Sequence, residues 1–137
     1  LDFSRMLPYQ HVLRSLSVTY AYIDQNRRRE PGVQSLYALE YLRHKAVASL
    51  GLRLLPGVNL DLHYRYQHRV GGYTDAAGIN RSYSPYSLVD ARLSWNRPEY
   101  SVYVEANNLS DAEYVDYGNV PQPGFWLTAG ARWNFSL

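Results

Sequence analysis

Apolar and polar residues alternate along this chain in six separate stretches. In the first, Leu16, Val18, Tyr20 and Tyr22 interleave with Ser15, Ser17, Thr19 and Ala21. In the second, Ala46, Ala48, Leu50, Leu52 and Leu54 interleave with Lys45, Val47, Ser49, Gly51 and Arg53. The third sets Leu60, Leu62, Tyr64 and Tyr66 against Asp61, His63, Arg65, Gln67 and Arg69. The fourth sets Val89, Ala91, Leu93 and Trp95 against Asp90, Arg92 and Ser94. The fifth sets Tyr100, Val102, Val104 and Ala106 against Ser101, Tyr103, Glu105 and Asn107. The sixth sets Phe125, Leu127, Ala129, Ala131, Trp133 and Phe135 against Trp126, Thr128, Gly130, Arg132 and Asn134. Side chains on a strand change face at every residue, so a period of two predicts strands with one apolar and one polar face. The expected strands cover about 12–23, 39–55, 59–70, 86–96, 100–107 and 125–135. All but the eight-residue fifth reach the roughly 9–11 residues that a tilted strand needs to cross a bilayer.

A sheet wet on one side produces the same alternation, so the connections carry the discrimination. Asp24 to Gln34 is a long polar loop holding Arg27-Arg28-Arg29, Pro31 and Gly32. Pro56-Gly57 is a tight turn, and Gly71 to Pro85 is a long connection. Arg97-Pro98-Glu99 is short, and Ser110 to Gly124 is long again. Strict long–short order matches outer-membrane barrels, which have short periplasmic turns and longer extracellular loops. A sandwich has turn signals every 8–12 residues and no such rhythm. The aromatics fall in two bands. Trp95, Tyr100, Trp133 and Phe135 lie near the short turns; Tyr20, Tyr22, Tyr64, Tyr66, Tyr86 and Phe125 lie near the long loops. The expected fold is therefore all-β, an antiparallel up-and-down meander of about six amphipathic transmembrane strands.

Composition narrows the field further. The 137 residues include no cysteine, which excludes disulfides and thiolate metal sites. A net charge of +2 gives no electrostatic case for a nucleic-acid partner. Tyrosine, with 14 residues against three Phe and three Trp, suits a boundary between hydrocarbon and water, and it is also a good strand former. Leu1 to Arg5 shows neither a signal-peptide pattern nor an initiator Met, so the chain is expected to be mature, truncated or cut from something larger.

The residues Tyr86 to Trp95, followed by Val104-Glu105-Ala106-Asn107-Asn108-Leu109, resemble the end of a TonB-dependent outer-membrane receptor barrel. Asp111, Tyr114, Asp116-Tyr117-Gly118 and Pro121 to Gly124 continue that resemblance, as do Tyr41 to Lys45 and Tyr64 to Arg69. It lies nearest the cobalamin- and siderophore-receptor branch. Ser110 departs from it, since the residue after that leucine is often Phe in these receptors. The resemblance implies a 22-stranded barrel whose lumen a globular plug fills. It implies that 1–137 is a C-terminal fragment of that barrel, without the plug domain. It further implies import of a scarce nutrient across the bacterial outer membrane, with TonB engaged through the plug. Six strands fall below the eight of the smallest single-chain barrel. A small self-contained barrel with a structural or adhesive role needs two further strands that the pattern does not supply.

Candidate residues sort by position. Asp61, Arg65, Asp90, Arg92, Glu105 and Arg132 fall on the inner face, as a hydrated wall against the plug or as a ligand guide. Arg27, Arg28 and Arg29 read as a solvated loop run, or as a grip on lipopolysaccharide phosphates or an anionic chelate. Tyr73, Tyr83, Tyr114 and Tyr117 could stack on a ligand or pack against neighbouring loops. Gly130, Trp133 and Phe135, with Thr128, resemble the signal read by the barrel assembly machinery; a plain amphipathic last strand would use the same residues. His63 and His68 differ by five and so face opposite ways, and Arg43 and Lys45 flank His44, which disfavours a metal. No nucleophile–base spacing stands out, and neither an enzyme nor a cofactor is expected.

Overall fold

Among the described residues eight strands form in chain order: β1 (Leu13–Tyr22), β2 (Tyr41–Leu55), β3 (Val58–Val70), β4 (Gly72–Thr74), β5 (Asn80–Ser82), β6 (Tyr86–Asn96), β7 (Tyr100–Asn107) and β8 (Trp126–Trp133). The computed structural model describes residues 12–24, 41–75, 77–115 and 120–135. His11, Arg27, Arg28, Arg29 and Tyr117 lie outside these ranges. β1, β2, β3, β6, β7 and β8 pair in that order as one antiparallel meander, and β4 with β5 makes a separate hairpin. The large sheet is not closed: β1 and β8 each pair on one side among the described residues.

Register aligns the alternation across the sheet. Leu16, Leu50, Leu62, Ala91, Ala106 and Leu127 stand side by side over all six strands. The next row holds Leu52, Leu60, Leu93, Val104 and Ala129. One step away, on the opposite face, the row reads Ser15, Gly51, Asp61, Arg92, Glu105 and Thr128. Nothing among the described residues packs on the apolar face: Leu127 and Trp133 are each 61 % exposed. The most buried large side chain, Leu88 at 2 % exposure, lies on the polar face instead. It sits between Tyr86 and Asp90, and the β7–β8 connection contacts both of them. Burying one leucine contributes about 2 kcal/mol, which helps hold that connection against the sheet.

The structure adds to three expectations and amends them. The connection from Gly71 to Pro85 contains the β4–β5 hairpin, whose three-residue strands are too short to show a period. Tyr86 leaves the aromatic band and joins the polar face, where it stacks on Tyr114. The last strand stops at Trp133, because Tyr100, its partner, is the first residue of β7. Phe135 therefore lies past the ladder, where Asn134 donates its backbone N–H to Glu99 O at 2.8 Å.

One irregularity settles the edge. Between Leu13 and Ser15 the β1–β2 register shifts by a residue, making Arg14 the extra member of a bulge. Simple alternation would group Arg14 with Leu16 and Val18 on the apolar face. The bulge frees it to reach Asp61 on β3 at 2.6 Å. The guanidinium crosses over Gly51 of β2: a Cβ there would lie 3.5 Å from Arg14 Nη2 and 2.5 Å from Ser15 Oγ. Gly51→Val is expected to push Arg14 off Asp61 and destabilise the sheet by about 1–3 kcal/mol. Urea unfolding checks this, and Gly51→Ala should show a smaller loss.

Candidate functional site

At the long-loop end, a short sequence organises the β7–β8 connection. Asn108 and Asp111 hold left-handed backbone, with φ of 50° and 47°, a conformation that Asn and Asp tolerate better than other side chains. Asn108 is 4 % exposed and acts as the hub. Its backbone N–H donates to Asp90 Oδ1 at 2.8 Å. Its Nδ2 donates to Ala112 O at 2.9 Å and to Pro123 O at 3.3 Å, and its Oδ1 accepts from Ala112 N at 3.0 Å. Ser110 Oγ lies 2.9 Å from Ser87 O and 3.1 Å from Asn108 Oδ1, so its one proton serves either acceptor. Asp111 Oδ1 accepts the N–H of Phe125 at 2.8 Å, pinning the end of the loop to the start of β8. Thus Ser110, the departure from the receptor pattern, is tied into the loop through its hydroxyl.

The β4–β5 hairpin is organised by Asp75. Its Oδ1 accepts from Ala77 N and Ile79 N, and its Oδ2 accepts from Arg81 Nε at 2.7 Å. The hydrogen bond from Arg81, aided by those backbone donors, holds the Asp75 carboxyl below its ordinary range, and the same pair pushes Arg81 up. A depressed carboxylate stabilises the folded hairpin at pH values above its unfolded pKa. That contribution disappears as pH falls through the folded value.

Between hairpin and connection lies a cavity of about 510 Å³, lined by Tyr73, Glu113, Tyr114, Val115, Pro121 and Gln122 among others. The structure thus brings Tyr73 and Tyr114 to one cavity. Tyr83 is placed differently: at 8 % exposure it packs behind Tyr73, ring centroids 5.3 Å apart, with the Arg69 guanidinium 5.3 Å from its own ring centre. It is a support for the wall.

The six charged wall residues all lie on the polar face, with Asp61, Arg92 and Glu105 adjacent in one row. Arg92 reaches Glu105 at 3.5 Å and lies 3.9 Å over the Tyr103 ring. Tyr103 in turn covers Gly130, where a Cβ would meet the ring at 2.6 Å. Gly130 is therefore needed for this packing whatever else reads it. Asp90 serves Asn108; Arg65 stands between Val47 and Leu88 in register, and Arg132 stands opposite Ser101. Exposed pairs of this kind contribute about 0–1 kcal/mol each. At the short-turn end Trp95, Tyr100 and Trp133 form a continuous aromatic run, with ring centroids 5.4 Å apart at both steps.

Two histidine pairings escape sequence reading. His44 and His68 are register partners on the apolar face, stacked at 5.7 Å, and Tyr20 Oη lies 2.7 Å from His44 Nδ1. On the polar face Ser49 Oγ lies 3.0 Å from His63 Nδ1, and Asp90 is the register partner of His63. Only strand register could have revealed either pair.

No protein-family model matches the chain, and no solved structure matches it.

Two outcomes test this loop architecture. Asn108→Ala is expected to strip the part-buried Ala112 N–H and the Ala112 and Pro123 carbonyls of their side-chain partner, costing about 1–3 kcal/mol and opening the connection to limited proteolysis, with β-sheet content unchanged. Lowering pH from about 6 to about 2 should lower the amide protection factors, taken against the intrinsic rate at each pH, selectively in 72–82, and Asp75→Asn should show that reduced protection already at neutral pH.

Proposed function

We propose that this chain forms wall and loops of a TonB-dependent outer-membrane receptor that imports a scarce nutrient such as a ferric siderophore or a cobalamin. The observation that carries the reading is an apolar face spanning six strands with no protein cover among the described residues. A water-facing sheet of this kind would aggregate, because large continuous apolar patches drive association. Hydrocarbon is the fitting cover. About ten residues separate the His68 row from the Val58–Trp95 row. At about 3.3 Å per residue and a tilt of about 40°, that is about 25 Å, the height of the lipid band on an outer-membrane barrel. Tyr20, Tyr22 and His44 border the band at one end, and Trp95, Tyr100 and Trp133 border it at the other, as interfacial side chains do.

The two open edges support membership of a larger barrel. Unpaired strand edges in hydrocarbon cost several kcal/mol per amide, and six strands cannot close a membrane barrel. Neighbouring receptor strands would pair β1 and β8, the polar face would meet the plug, and the ordered loops would capture ligand outside the cell. TonB acts on the plug, so this segment has no part in energy coupling. A second reading, a barrel-borne acyl hydrolase, draws on the Ser49–His63 contact. It asks for Asp90 to orient the imidazole, yet Asp90 already accepts the Asn108 N–H.

Two measurements on the full-length protein test the proposal. In single-tryptophan variants, brominated lipids should quench Trp95 and Trp133 and spare Trp126, which lies on the polar face beside Asn107. Cells lacking residues 86–135 should lose proton-gradient-dependent uptake of ferric chelates and cobalamin. Equal quenching at all three tryptophans, or unaltered uptake, would sink the receptor reading.

A further inference from the structure

We propose that the loop cavity selects a ligand bearing a positively charged amine, held between the rings of Tyr73 and Tyr114 with Glu113 as its counter-charge. This rests on the receptor reading and narrows the ligand within it. The cavity, about 510 Å³, is the size that encloses one drug-sized group. Its aromatic walls are fixed from behind before any ligand arrives. Tyr73 leans on the buried Tyr83 at 5.3 Å. Tyr114 stacks on Tyr86 at 4.4 Å, and the Tyr86 hydroxyl donates to Gln67 Oε1 at 2.6 Å. The face of an aromatic ring is negative and attracts cations, and rings already braced from behind need less ordering on binding.

Charge points the same way. Among the described residues, the charged ones that line the cavity, Asp111 and Glu113, are both acidic. Asp111 is structural: its Oδ1 accepts the Phe125 N–H and lies against Gly124. Glu113 is exposed and makes no ion pair among the described residues, so its carboxylate is available to a ligand. The arginines on the hairpin side are committed elsewhere, Arg81 to Asp75 and Arg69 over Tyr83. An anionic chelate would thus meet carboxylates and ring faces; a protonated amine would meet favourable charge from both.

A matched pair of probes isolates the effect: one linear ferric trihydroxamate carrying a free terminal amine, and the same compound with that amine acetylated. Binding is measured by fluorescence quenching of the full-length receptor in outer-membrane vesicles, and uptake in energised cells. The free-amine form should bind about tenfold tighter. Glu113→Gln should erase most of that preference, Glu113→Lys should reverse it, and Tyr114→Leu should weaken the amine form more than the acetylated one. Equal affinity for the two probes, or a preference that survives Glu113→Gln, overturns the proposal while energised uptake leaves the receptor reading standing. No binding and no energised uptake of either probe or of cobalamin overturns both.

Discussion

Inside the sheet, backbone amides find their partners on neighbouring strands, and this frees a whole face of side chains from any need for water. That single condition organises the rest. A face relieved of polar duty can be made of leucine, valine and alanine rows running straight across six strands. The opposite face then takes all the charge and most of the hydroxyls. The protein keeps its small buried core on the polar side, at Leu88, which is the reverse of a soluble sheet packed on its apolar surface. Among the described residues nothing covers that apolar surface, so its stability depends on what surrounds the sheet.

The two ends of the sheet are built by different means. The short-turn end depends on stacked aromatics and a glycine turn at Gly57, whose φ of 85° suits a residue without Cβ. The loop end depends on polar hubs. Asn108 and Asp75 each gather several hydrogen bonds, so two connections that would otherwise be floppy hold tyrosines in set positions. Together they place Tyr73 and Tyr114 on one cavity at that end of the sheet.

Much of this was legible in the sequence. The bounds of β6 and β7 match the alternation residue for residue, because Arg97-Pro98-Glu99 and Pro85 punctuate them sharply. The meander order and the charged face follow from the same period. What alternation leaves open is register: sliding a strand by two residues preserves both faces and changes every neighbour. The Ser49–His63 and His44–His68 contacts are register facts, hence invisible beforehand. The β4–β5 hairpin was missed because three residues carry no period, and for Tyr83 the choice between ligand stacking and loop packing stayed open because its burial depends on that hairpin. The Asn-Leu step was visible as a resemblance, but nothing in the letters said that Asn108 anchors five polar contacts around one loop.

Arg14 carries a consequence for how the border of the sheet assembles. β1 has a neighbour on one flank alone among the described residues, so its alignment with β2 has less to hold it than that of any interior strand. Were it to slip one notch, the guanidinium would be turned onto the apolar face and Asp61 would lose its cation. The misalignment is therefore self-penalising: a surplus residue works as a ratchet pawl, and a flank that might have drifted is locked to one setting.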